Sequence, residues 1–274
     1  MPIGQGDAYA KRRFPHSLQH LDQIENAQGT HSALRQFLYP FARQSASHFY
    51  DNFDRKAIDT TNYWTASETG TGTTFAVPAT TGLNGTVVGV TGATSGNCET
   101  LYGTRNWAGD NNCWFEIRFK IDVVTNLSFE TGLIDSASDL ALPTVSDVDT
   151  PALAGGTSDL AVVHLDTSQT LTTAAFVTDG STANMNTTAY TLSPVFTPTA
   201  DTFHIITVGL AGDIPFCMVD GARFTTPTTG VIGQRVEGGT LLRPFFAVRA
   251  RSAAAKTATI DYVALGQDRA ARTA

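Results

Sequence analysis

The chain has 274 residues, a net charge of −7, 42% apolar and 9% aromatic side chains, and its sixteen Phe and three Trp suffice for a core without disulfide staples. No run nears the ~20 apolar residues of a membrane span and no secretion-type apolar segment follows the start, so a cytoplasmic product is expected. Cys98, Cys113 and Cys217 are odd in number and show no metal-type spacing, which argues against a disulfide framework.

Residues 1–49 read as an arm. They carry Lys11, Arg12, Arg13, Arg35 and Arg43 against Asp7, Asp22 and Glu25, a balance of +2 that leaves −9 on the remainder. An acidic body disfavours nucleic-acid binding, which requires a basic face. Segments 17–26 and 31–39 are expected to be short helices, with Ser17 and Thr30 as N-caps and Pro40 as a stop. Helices this short draw their stability from packing. The arm is therefore expected to grip a partner through Arg12, Arg13, Phe14, Leu18, Leu21, Arg35, Phe37 and Phe41.

Near residue 50 the composition shifts to Thr, Gly, Ala and Val, and residues 50–266 read as strands, with 267–274 as a tail. In 113–121 the alternation is clean: Phe115, Ile117, Phe119 and Ile121 point one way, Glu116, Arg118 and Lys120 the other, toward water. Similar runs occupy 86–91, 98–104, 126–134, 159–165, 171–178, 203–210, 214–219, 241–250 and 257–265, so the expected fold class is all-β, a two-sheet antiparallel sandwich. Asp110-Asn111-Asn112 reads as a hairpin turn, and Asp220-Gly221 as a tight one with positive φ. Segment 135–158 is long and polar. Its Asp135, Asp139, Asp147 and Asp149 are expected in an exposed loop, a candidate surface for a ligand.

Catalytic patterns are missing. A sandwich glycosidase needs two carboxylates flanking the bond, and no Glu-x-Asp-x-(x)-Glu run exists. There is no G-x-S-x-G elbow, P-loop, H-E-x-x-H or C-x-x-C. His164 and His204 read as structural strand histidines, and Trp64, Trp107 and Trp114 as buried anchors. No metal site and no cofactor are expected.

The order of Tyr50-Asp51-Asn52-Phe53-Asp54, Trp64, Glu99-Thr100-Leu101-Tyr102-Gly103-Thr104, Trp114 to Ile121, Thr131 to Asp135, Pro244 to Arg249 and Ile260-Asp261-Tyr262-Val263 resembles the concanavalin A-like jelly-roll domains of tailed-bacteriophage virion proteins. The resemblance spans roughly residues 50–266. It implies a non-enzymatic virion structural protein, foremost a capsid decoration protein bound through its arm to the major capsid protein or another virion protein. A homo-oligomer, guessed as a trimer, follows from closed-shell symmetry. The lectin members' sugar- and calcium-binding motifs find no match in this sequence. Two alternatives stand: a carbohydrate-binding tail or fibre module, and a glycoside hydrolase whose acids converge only in space.

Overall fold

A computed structural model describes residues 46–79, 85–136, 143, 145–147, 152–153, 157–168, 174–179, 190–191, 196–211, 214–224, 236–237 and 239–268. The strands are β1 (Ala46–Asp51), β2 (Trp64–Thr69), β3 (Gly72–Ala76), β4 (Val87–Thr91), β5 (Cys98–Gly103), β6 (Trp107–Ala108), β7 (Trp114–Ile121), β8 (Leu127–Ile134) and β9 (Val145–Asp147). They continue as β10 (Ala152–Leu153), β11 (Leu160–Asp166), β12 (Ala175–Asp179), β13 (Tyr190–Thr191), β14 (His204–Ala211), β15 (Ile214–Val219), β16 (Ala222–Phe224), β17 (Leu241–Ala250) and β18 (Thr257–Asp268).

Period-two alternation makes each long strand two-faced, and two eight-stranded antiparallel sheets result. The back sheet runs β16-β15-β14-β7-β18-β4-β3, with β1 also paired to β18. The front sheet runs β13-β12-β11-β8-β17-β5-β2, with β6 paired to β17. Most neighbours are distant in sequence, as when β7 meets β18 and β8 meets β17, which is the jelly-roll signature. The fold is therefore the expected two-sheet antiparallel sandwich.

Between the sheets, the Phe119 ring meets Phe129 at a tilt and Phe246 edge to face, at 5.3 and 5.2 Å, and Phe246 meets Phe75 edge to face at 5.7 Å, so aromatic contacts tie front to back. A second apolar cluster occupies the outer face of the front sheet and includes Tyr102, Ile134, Leu160, Val162, Val177 and Phe245. The front sheet is thus buried on both sides, which is why its strands alternate so poorly in sequence.

Four local expectations need amendment. Glu116 is fully buried, and accepts hydrogen bonds from Thr207 Oγ1 at 2.9 Å and Tyr262 Oη at 2.8 Å. Its neighbours behave as foreseen: Arg118 pairs with Asp261 and lies over the Phe203 ring, and Lys120 pairs with Asp201 at 2.9 Å. Second, β1 starts at Ala46, inside the segment read as the arm, and β18 runs to Asp268, inside the segment read as the tail. Third, Asp110 and Asn111 belong to a 3-10 turn, Gly109–Asn111, closed by Asn112 in the left-handed region. Fourth, the 135–158 segment contains the β9–β10 pair. At Asp220-Gly221 both residues have positive φ, 48° and 78°, as the tight hairpin requires.

Candidate functional site

Of the residues singled out in sequence, Arg12, Arg13, Phe14, Leu18, Leu21, Arg35, Phe37 and Phe41 lie outside the described residues, as do Asp139 and Asp149. Asp147 ends β9. Asp135 is buried, contrary to its reading as an exposed loop acid. Its carboxylate accepts hydrogen bonds from Ser158 N at 3.0 Å and Ser158 Oγ at 2.8 Å, while its own N–H donates to Asp159 O at 2.9 Å. This acid is consumed in joining the two ends of its segment. Trp64, Trp107 and Trp114 are buried anchors. Trp64 Nε1 donates to Asp51 Oδ2 at 3.0 Å, and Asp51 Oδ1 accepts Phe53 N at 2.9 Å. His204 accepts Thr199 N–H at Nε2, 3.0 Å, so its proton sits on Nδ1 and is donated to Asp220 Oδ2 at 2.8 Å.

Acids do converge across strands. His164 on β11 faces Glu130 on β8, with Nδ1 and Oε2 3.1 Å apart, and Asp166 faces Ser128 one step along. Glu130 and Asp166 are therefore diagonal neighbours on one face, a pairing about 7–8 Å apart at the backbone. Both are buried; Asp166 is held by Arg251 Nε at 3.0 Å and Ser168 Oγ at 2.6 Å. Among the described residues no three metal-ligating side chains gather.

An open groove of about 300 Å³ lies where β2, β5 and β17 end together on the front sheet. Its floor follows from pleat and register. Thr65 and Tyr102 are paired across β2 and β5, Tyr102 is paired with Phe245 on β17, and Arg243, two residues earlier, lies over the Tyr102 ring at 5.1 Å. Arg105 closes one side, its Nε donating to Leu241 O at 2.7 Å. The opposite rim is a turn built by Asp59, whose Oδ1 accepts the N–H groups of Thr61 and Asn62 at 3.2 and 3.0 Å and whose main-chain O accepts those of Tyr63 and Trp64. Hydrogen bonds from the Asn62 side chain and from these N–H groups, together with Arg55, hold the Asp59 carboxyl below its usual range.

Tyr63 stands on this rim 41% exposed, its ring 4.8 Å from that of Phe49. It also lines an adjoining cleft of about 330 Å³ with His48, Phe49 and Gln267. Sequence reasoning weighed the tryptophan next to it and passed over Tyr63. The available signal was an Asp-x-x-Asn turn placing an aromatic residue just ahead of a strand. Hydroxyl, amide and guanidinium groups beside an exposed ring suit a polyhydroxylated ligand with an apolar face.

By sequence, no family profile and no curated protein matches the chain. Solved structures share its fold. A protein of unknown function from Shewanella oneidensis MR-1 aligns over 95% of this chain and 98% of its own at 12% identity and TM-score 0.53. The Emp47p carbohydrate recognition domain aligns over 83% and 98% at 10% identity and TM-score 0.53. SCLam, a non-specific endo-beta-1,3(4)-glucanase of family GH16, aligns over 82% and 92% at 13% identity and TM-score 0.51. The likeness establishes a concanavalin A-like jelly roll. It also overturns the expectation of a non-enzyme. The same fold carries a glucanase, and Glu130 and Asp166, on different strands, lie as diagonal neighbours on one face of the sheet. The exclusion of catalysis is withdrawn.

Proposed function

We propose that the protein binds carbohydrate in the groove between the Asp59 turn and Arg105. The observation that carries this reading is Tyr63, a partly exposed ring fixed on a hydrogen-bonded turn that lines the groove with Asn62, Thr65 and two arginines. A rigid aromatic face packs against sugar C–H groups, while preplaced polar side chains meet the hydroxyls. Fold likeness to a carbohydrate recognition domain is consistent with this and adds no residue to it. Titration of oligosaccharides chosen from a glycan array should give saturable binding to the full chain. Tyr63→Ala should weaken it at least about tenfold, or about 1.4 kcal/mol, with Tyr63→Phe retaining most of it. A flat array, or an unchanged Tyr63→Ala, would sink the reading.

The virion resemblance and the division of charge, +2 in residues 1–50 against −9 beyond, support a second, compatible reading. In it the sandwich is a bacteriophage surface component attached by its N-terminal segment to the major capsid protein or another virion protein, as a capsid decoration or a tail module. Steering by the arm's cations toward acidic sites would aid attachment. Co-sedimentation with undecorated capsids tests it; equal recovery of the full chain and of a chain lacking residues 1–45 would rule it out.

A further inference from the structure

We infer that the groove and the adjoining cleft are one binding track, which takes several consecutive units of a linear glycan rather than a single sugar. This rests on the carbohydrate reading above and specifies the kind of glycan the site takes. The groove lies on the outer face of the front sheet, over Thr65 and Tyr102. The cleft opens between the two sheets, with Phe49 and Leu265 of the back sheet on one side and Trp64 and Pro244 of the front sheet on the other. The two cavities meet where the β2–β5 ladder ends at the Trp64–Gly103 pair, and Tyr63, Trp64, Gly103 and Thr104 line both.

Those four residues form the ridge between the cavities. At Gly103 the ridge is bare backbone, since a Cβ there would come within 2.5 Å of Pro244 Cγ. Tyr63 and Thr104 stand on it exposed, and the Tyr63 ring, 4.8 Å from that of Phe49, lines the track on both sides. Polar groups continue across it, with Asn62 and Thr65 on the groove side and Ser47 and Asn106 on the cleft side. At about 300 and 330 Å³, each cavity alone sits at the bottom of the ~300–1,000 Å³ range of small-ligand pockets, whereas the two together fall well inside it. A sugar held on one side of Tyr63 brings the next units of its chain to the other side. Their contacts are then made with no second loss of translational freedom.

The experiment titrates the full chain with linear β-glucan, mannan and chitin oligosaccharides, each as a series from one to six units. In a series that binds, affinity should rise at least about tenfold between two and four units and level off once both cavities are filled. Repetition of units over a single small site would raise it no more than about threefold over that range. Asn106→Trp, which fills the cleft, and Thr65→Trp, which fills the groove, should each reduce the gain to about that smaller value. Both positions are exposed, and urea midpoints confirm that the variants are folded. If one variant does not fold, the other decides together with the native series. An affinity that does not change with length, or a gain that survives either block, would overturn the track while leaving the carbohydrate reading intact. Binding at no length in any series overturns both.

Discussion

Glu99 on β5 lies opposite Glu68 on β2, and two like charges directly across a ladder repel. Glu99 is fully buried and neither carboxyl oxygen makes a hydrogen bond. Desolvation first, and the Glu68 charge second, push its pKa up to about 8 from an ordinary 4.5. At neutral pH the folded chain therefore holds a proton that the unfolded chain has released. The sign follows: stability is full below pH 4.5, falls as pH rises toward 8, and levels off above it, with a slope of at most about 1.4 kcal/mol per pH unit. Glu99→Gln should remove this slope. Urea midpoints at pH 5, 7 and 8.5 measure it, and a variant as pH-sensitive as the native chain would contradict the assignment. The carboxyl also packs where a side chain at position 72 would lie, so Gly72 is the residue that admits it. Glu99, Glu116 and Glu130 share a lesson. A polar residue in an alternating strand reads as solvated, yet whether that face meets water is decided by chain remote in sequence.

The turn from Asp59 to Trp64 shows the same division at the level of elements. Long strands were legible, since β4, β5, β7, β8, β14, β15, β17 and β18 fall within a few residues of their expected runs. Hydrophobic periodicity reports them directly. What sequence did not reveal were edge and terminal pieces: β1, β2 and β3 hold Thr, Ser and Gly at half-exposed positions, and β9, β10 and β13 are two or three residues long. The groove belongs to that second class. Its floor is set by strand register and its rim by an Asx-type turn, neither of which leaves an apolar pattern. Asp59→Ala removes the acceptor for the Thr61 and Asn62 N–H groups and frees Tyr63. The expected result is loss of glycan binding with a nearly unchanged urea midpoint, because the turn contributes little to the core. A variant that binds normally would show that the rim is held by other contacts.

For the whole molecule, the front sheet is a shared wall between two apolar layers, and β17 offers a direct probe of both. Phe246 packs into the aromatic contacts between the sheets, while its neighbour Phe245 belongs to the outer cluster; each is at most 2% exposed. If the layers fold as one cooperative unit, Phe245→Ala and Phe246→Ala should each cost about 3–5 kcal/mol in a single transition. Tryptophan fluorescence and far-ultraviolet dichroism in urea should then give coincident curves. A cost below about 1 kcal/mol for Phe245→Ala would mean that the outer layer is not part of the cooperative fold. The two variants should differ in function. Phe245 is paired with Tyr102, which carries Arg243 at the groove floor, whereas Phe246 faces away from it. At matched loss of stability and in conditions where both are folded, Phe245→Ala should weaken oligosaccharide binding and Phe246→Ala should not. Equal binding by the two would show that the groove's geometry does not depend on the layer beneath it.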